Sequence, residues 1–401
     1  MAEVTPQRAV RAIPAGVWTL GFVSMLMDIS SEMIHALLPV YLVTVLGTSA
    51  LTVGIIEGIA EATASITKIF SGALSDYLGR RKWLAALGYG IAAFTKPVIP
   101  LASNIGWLVA ARFVDRIGKG IRGSPRDALI ADLTPADLLG NAYGLRQSVD
   151  TIGAVLGPLL AIVFMEMYAN NYITVFWLAV IPAFVSVAII VFGVREPDRP
   201  AGLRDVRAPL SRSELARLTG VYWMIVGVAA IFTLARFSEA FLLLRAQSVG
   251  LSLTFVPIVM VVMNIVYTLS AWPAGVLSDR VGRYGVLTVG FILLILADLL
   301  LAIGNNTPLL LIGVALWGLH MGLTQGLLAA LVADTAPAEL RGTAFGMFNL
   351  VSGLALLAAS IIAGALWELI GPSGTFFAGA LITAVALAAL PLARKFVRQP
   401  R

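Results

Sequence analysis

The chain has 401 residues, of which 59% are hydrophobic and only 12% charged, about half the charged share of an ordinary soluble domain. At a mean hydropathy of +0.91 no polar skin could cover the apolar residues, which excludes a soluble enzyme, a nucleic-acid-binding domain and a disordered chain and leaves a polytopic membrane protein. The net charge of +6 then reports basic loops on the cytoplasmic side, and the lack of cysteine excludes disulfides, thiolate metal sites and cysteine nucleophiles.

A membrane-crossing helix needs about 20 apolar residues, and twelve of them with tight loops take roughly 33 residues each, which uses the whole chain. Residues 1–14 carry Arg8, Arg11 and Pro14 without the apolar core and cleavage site of a signal peptide, so the first apolar segment is expected to stay as a helix. Apolar spans are predicted at 15–46, 50–73, 83–103, 106–132, 141–168, 172–194, 219–246, 253–276, 285–304, 308–333, 343–369 and 374–393. Short polar or Gly/Pro breaks separate them, such as Ser103-Asn104, Asn170-Asn171 and Gly371-Pro372. The stretch 195–218 is different. Arg195, Arg199, Arg204, Arg207, Arg212 and Arg217 mark it as a cytoplasmic linker between an N-terminal six-helix bundle, 1–194, and a C-terminal six-helix bundle, 219–401. The expected fold is therefore an all-α membrane protein with twelve transmembrane helices in two six-helix bundles.

Basic residues set the orientation. They gather at the N-terminus, Arg80-Arg81-Lys82, the linker, Arg280 with Arg283, Arg341, and the tail from Arg394 to Arg401, while the loops between contain essentially none. Both termini are expected in the cytoplasm of a prokaryotic plasma (inner) membrane.

The halves repeat. Ala128-Leu-Ile-Ala-Asp132-Leu-Thr-Pro135-Ala-Asp137 is similar to Ala330-Leu-Val-Ala-Asp334-Thr-Ala-Pro337-Ala-Glu339, 202 positions later. Gly72-Ala-Leu-Ser-Asp76 returns as Gly275-Val-Leu-Ser-Asp279, and Gly79-Arg80 as Gly282-Arg283, each 203 positions later. Two halves of one topology imply pseudo-symmetry about an axis along the membrane normal, with one half rocking against the other around a central cavity.

The run Gly72-Ala-Leu-Ser-Asp76-Tyr-Leu-Gly79-Arg80-Arg81-Lys82 resembles the signature that the major facilitator superfamily carries between its second and third helices. The shorter copy from Gly275 to Arg283 strengthens the resemblance, which extends over essentially the whole chain. It implies the fold of that superfamily and alternating access. It also implies a conformational latch of Gly72, Asp76, Gly79, Arg80, Gly275, Asp279 and Arg283, with Asp76 and Arg80 in a charge cluster that locks the cytoplasmic side in the outward-open state. Arg112 lies where drug-exporting members carry an arginine linked to proton transfer, although Asp115-Arg116 stands where Gln-Gly is usual. Gly153-x-x-x-Gly157-Pro158 resembles the antiporter motif, with Leu159-Leu160-Ala161 in place of small residues. These two similarities favour proton-antiporting export and assign no subfamily.

Ionised side chains supply the candidate site. Asp28, Glu32 and His35 fall at i, i+4 and i+7, on one face of the first span. A charge at a helix centre costs about 2.5–3.5 kcal/mol on the insertion scale, so these acids must be paired, wet or protonated, as proton coupling requires. In the fourth span Arg112, Arg116, Lys119, Arg122 and Arg126 form a stripe about 60° wide and about 21 Å long. Such a row must line a cavity or meet acids, with Asp115, Asp127, Asp28, Glu32, Glu57 and Glu61 in reach. Asp28, Glu32, Arg112 and Asp115 are the proton-coupling candidates. His35, Arg116, Arg146, Asp150, Arg236, Glu239, Trp317 and His320 are the substrate-binding candidates, because a guanidinium matches a carboxylate or phosphate bidentately and a histidine can titrate near neutrality. For the couples Arg146/Asp150 and Arg236/Glu239 an intrahelical ion pair is the plain alternative. Lys68, Lys96, Glu166, Asp298 and Glu368 stand as singletons with weaker claims.

Gly118-Lys119-Gly120 lacks the spacing of a phosphate loop, so ATP is not the expected energy source, and neither catalysis nor a resident cofactor is expected. The leading reading is a monomeric secondary transporter that moves a small anionic or chelate-like solute, coupled to protons, in the lipid bilayer. Transport of a divalent metal ion or complex, through Asp28, Glu32 and His35, is the second. A non-transporting receptor or scaffold is the third, and the absence of any sizeable soluble domain weighs against it.

Overall fold

The computed structural model describes residues 13–78, 80–135, 138–196, 212–337 and 340–398, in the last helix only as far as Pro391 for side chains. Gly79, Asp137, Glu339 and most of the 195–218 linker lie outside the described residues, as do the side chains of Asp76 and Asp279.

Among the described residues the chain is helical throughout. In order the helices are α1 (Ala15–His35), α2 (Leu38–Thr44), α3 (Ala50–Leu78), α4 (Arg81–Thr95), α5 (Val98–Leu101), α6 (Ile105–Leu133), α7 (Leu139–Met167), α8 (Tyr172–Gly193), α9 (Arg212–Leu215), α10 (Gly220–Ala235), α11 (Ala240–Ser248), α12 (Ile258–Val281), α13 (Arg283–Ile303), α14 (Thr307–Thr335), α15 (Arg341–Leu369) and α16 (Pro372–Arg398). Eleven segments among the described residues are long and apolar enough to cross a membrane. The fourth predicted span, α6, at 29 residues is within one residue of the longest of them. It fails that criterion because of its charged residues, of which Arg112, Asp115, Arg116 and Arg122 are buried, Arg126 partly buried and Lys119 exposed.

The polar breaks in the sequence are helix caps. The side chains of Asn104, Asn171, Thr219 and Asn306 each accept from the backbone N–H three residues on, at 3.0–3.3 Å, satisfying one of the donors that every helix start leaves open. Three predicted spans are interrupted. Pro39 carries no N–H and its ring clashes with the carbonyl of His35, so the first span turns at Ala36-Leu37 before resuming as α2. Pro97 ends α4 in the same way. The seventh span breaks at 236–239 without a proline. There the Arg236 N–H is shared between the carbonyls of Phe232 and Thr233. The Ser238 N–H donates to Ser360 Oγ at 3.3 Å, and the Ala240 N–H donates to Ser238 Oγ at 3.2 Å. Backbone freed at membrane depth must find such partners.

The described residues within Met1–His35 and Thr63–Ala208 form one compact unit, and those within Ala36–Ala62 and Pro209–Arg401 form the other. In the first, α1 packs on α7 and α8 while α4 packs on α6. In the second, α10 packs on α15 and α16 while α13 packs on α14. The two sets of neighbours are what a duplicated six-helix bundle produces. Residues 36–62 join the second unit because α2 packs on α11 and because α3 crosses α15 at Gly54 and Gly58. A Cβ on Gly54 would lie 2.2 Å from the Ser360 carbonyl oxygen.

Candidate functional site

Most of the charged candidates meet in the first unit, and glycines decide how. On α7, a Cβ on Gly153 would lie 2.8 Å from the Met25 carbonyl oxygen, and one on Gly157 would lie 2.6 Å from Glu32 Cβ. The Gly153-x-x-x-Gly157 pattern is thus the point where α1 crosses α7 at backbone contact, and it brings Asp28 and Glu32 against that helix. Gly88 and Gly118 do the same for α4 and α6: a Cβ on either would come 2.7 Å from the other's carbonyl oxygen.

Three charge groups result. At the first, Lys96 Nζ donates to Asp115 Oδ1 at 2.9 Å and to Ser31 Oγ at 3.0 Å. Arg116 Nε stands 3.9 Å from Asp115 Oδ2. Lys96, Arg112, Asp115 and Arg116 are each less than 5% exposed. Buried charges persist only when paired and hydrogen-bonded, and the Lys96–Asp115 pair meets that condition. At the second, Glu32 Oε2 and His35 Nδ1 lie 3.5 Å apart on α1. At the third, Asp28 Oδ1 lies 3.5 Å from Arg122 Nη2. Arg146 holds Asp150 Oδ2 with Nε at 3.1 Å and Nη2 at 2.6 Å, and its Nη1 reaches Asp127 Oδ1 at 3.2 Å. Arg126 bonds Asp127 at 3.0 Å, approaches Asp150 at 3.7 Å and donates to Ser24 Oγ at 2.7 Å. Ser24 and Tyr89 share a hydrogen bond of 2.8 Å, and the Arg122 guanidinium lies 4.8 Å from the Tyr89 ring centroid, a cation–π distance. The plain reading of Arg146/Asp150 as an intrahelical pair describes this conformation, but the pair belongs to a network spanning α1, α6 and α7. Asp28 does not join Glu32 and His35 in a common group, and no cluster of three metal-ligating acids or histidines occurs among the described residues.

The second unit holds the other candidates. Arg236 and Glu239 flank the break between α10 and α11, half-buried, and Glu239, Tyr267 and Glu61 act on Arg236 electrostatically. Trp317 and His320 on α14 are wholly buried. Their rings meet edge to face at 5.4 Å, and Trp317 packs on Phe237 at 5.4 Å. Solute could touch either only after this cluster opens.

At the signature loop Arg81, which sequence reading did not single out, makes an ion pair across to α6. Arg81 Nη1 bonds Asp132 Oδ2 at 2.9 Å and the Ala128 carbonyl at 2.8 Å, whereas Arg80 is exposed. The same pairing recurs between Arg283 and Asp334, and both pairs span 51 residues. The structural repeat therefore relates Arg81 to Arg283, one register away from the alignment of the two Gly-Arg dipeptides. Gly72 faces Ser124, and Gly275 has nothing within 4 Å of its Cβ position. Lys96 is the other residue that sequence reading undervalued. It looked isolated because its acid lies 19 positions away on another helix, and only the Pro97 break beside it hinted at a special position.

Comparison with known proteins agrees with this geometry. The sequence profile of the Major Facilitator Superfamily matches residues 20–244 and 240–401. A protein of Methanocaldococcus jannaschii described as an uncharacterized MFS-type transporter is 34% identical over 384 residues, 94% of each chain. The gentisate transporter of Corynebacterium glutamicum is 27% identical over 366 residues, 85% of this chain and 80% of its own. The crystal structure of the human organic anion transporter MFSD10 (TETRAN) superposes with a TM-score of 0.66 at 19% identity, covering 96% of this chain and all of the other. With its profile match across nearly the whole length and a helical fold of transporter type, the chain belongs to the major facilitator superfamily and is a multi-pass membrane transporter.

Proposed function

We propose that this transporter is a secondary active carrier that exports a small anionic or chelate-like solute in exchange for protons. Its halves, 1–194 and 219–401, rock about the linker 195–218 so that access alternates between the two sides of the plasma membrane. It works as a monomer with both termini in the cytoplasm. The observation that carries this reading is the charged network of the first unit. Asp28, Glu32, Asp115, Asp127 and Asp150 sit among Lys96, Arg112, Arg116, Lys119, Arg122, Arg126 and Arg146. Each acid can trade a cation for a proton as helices move, which is how protonation alters a packed charge network. The surplus of cations suits an anion, and arginine suits carboxylate or phosphate. Two proteins similar to this chain carry names that point the same way, a gentisate transporter and an organic anion transporter.

The test uses purified protein in proteoliposomes with an imposed pH gradient and gentisate plus a panel of aromatic carboxylates as probes. Gradient-driven flux is expected in the native protein and its loss in Glu32→Gln and Asp28→Asn. Flux and probe-induced proton movement that survive unchanged in both variants would remove proton coupling through α1. Flux indifferent to the gradient in the native protein would remove antiport altogether.

A further inference from the structure

The second unit contains an acid that the network above does not use. Asp298 on α13 is fully buried. Among the described residues neither carboxylate oxygen has a hydrogen-bond partner, and no cation pairs with it. Its carboxyl group lies against bare backbone: a Cβ on Gly379 of α16 would fall 2.7 Å from Asp298 Oδ2 and 3.2 Å from Phe237 Cε1. Phe237 in turn packs on Trp317, Phe241 and Phe376 at 5.4–5.5 Å between ring centroids. The acid therefore faces an aromatic cluster and a glycine made small enough to admit it.

The neighbouring elements offer little charge. On α14 the ionisable groups are His320, whose ring lies against the Trp317 backbone, and Asp334, which is held by Arg283. Within the described part of α16 only Ser373, Thr375 and Thr383 are polar near this level, and they bond to the carbonyls of Ala302, Ala363 and Gly379. On α12 they are Tyr267, next to Gln325, with Asp279 and Arg280 at its end. From the 236–248 segment come Arg236, Glu239 and Arg245. Arg245 spends its donors on the carbonyls of Leu301, Ala302 and Gly304 and on Asn305, and so caps the helix that carries Asp298 without pairing with it.

An ionised carboxylate wholly buried without a cation or a protein donor is strongly disfavoured, whereas the neutral acid costs far less. We propose that Asp298 is a second proton-binding site, in the C-terminal unit, loaded in this conformation and discharged only when the packing of α13 on α16 opens to water or to a cation such as Arg245. The inference rests on the proton-coupled reading for its role in transport, but the bound proton is measurable without transport.

Infrared spectra of the protein in lipid nanodiscs, native against Asp298→Asn, give the first readout. The carbonyl stretch of a protonated carboxyl is expected in the native protein at neutral pH and is expected to be lost in the variant. In proteoliposomes Asp298→Asn is expected to retain gentisate exchange but lose its dependence on the pH gradient. Should the variant not be recovered folded, isotope-labelled aspartate in the native protein reports the same band, and its absence overturns the proposal. A native band that Asp298→Asn leaves intact also overturns it. So does a variant whose pH profile matches the native one, since Asp298 would then be a packing residue only. If Glu32→Gln abolishes coupling while Asp298→Asn does not, the second site alone fails. If neither affects coupling, coupling through Glu32 fails with it, and flux indifferent to the gradient in the native protein removes the proton-coupled reading itself.

Discussion

The Lys96–Asp115 pair makes the sharpest claim about what holds the first unit together. At 2.9 Å and an effective dielectric of 20, the gross attraction is about 6 kcal/mol. Arg116, 3.9 Å from the other oxygen, contributes about 4 kcal/mol by the same arithmetic. Lys96→Met removes the closer cation but leaves Arg116, so the Asp115 charge keeps part of its compensation. The expected cost is about 3 kcal/mol, the low end of what breaking a buried pair from one side produces. Asp115→Leu alone leaves Lys96 with only Ser31 and is expected to cost at least as much. The double variant removes both partners at once and forfeits in addition only the weaker Asp115–Arg116 contact, so it is expected to cost about 3 kcal/mol, well below the sum of the singles. The assay is reversible unfolding in mixed micelles titrated with denaturing detergent, read as a double-mutant cycle. A coupling energy of several kcal/mol supports the account. If Lys96→Met unfolds like the native protein, or if the double variant costs the sum of the singles, the pair does not join these helices and the electrostatic reasoning is wrong.

Two further expectations follow from geometry alone. Gly157→Leu forces a branched side chain into the Glu32 backbone region, where even a Cβ stands 3.0 Å from the Ile29 carbonyl oxygen. It is expected to cost about 1–3 kcal/mol by overpacking, with Gly227→Ala as the control, because nothing lies within 4 Å of that position; equal melting temperatures for the two would count against a close crossing of α1 and α7. At the signature loop, Arg81→Ala is expected to lower stability by about 1.5–3 kcal/mol through lost charge-assisted bonds to Asp132 and Ala128, while Arg80→Ala leaves it within about 0.5 kcal/mol. Thermal unfolding of both in detergent separates them, and the reverse ranking would show that the pairing is misassigned.

The sequence by itself determined the membrane class, the positions of the spans, the duplication and the charged face of α6, because each of these is a local property. Hydropathy over 20 residues, helical periodicity and a fixed repeat distance need no knowledge of neighbours. The breaks between spans were legible as polar pairs, and the caps that Asn104, Asn171 and Asn306 make there act within one turn of their own helices. Only the tertiary structure decided which cation meets which acid. That depends on where two helices cross, and the crossings are set by contacts between distant glycines such as Gly88 and Gly118. Lys96 looked like a stray charge until α4 and α6 were brought together, and the bond from Arg81 to Asp132 likewise depends on that crossing. The break at 236–239 was hidden for the same reason, because its freed backbone is satisfied by Ser360, 122 residues away. Asp298 is the extreme case: its place on an apolar helix was plain, but that nothing pairs with it is a property of everything packed around it.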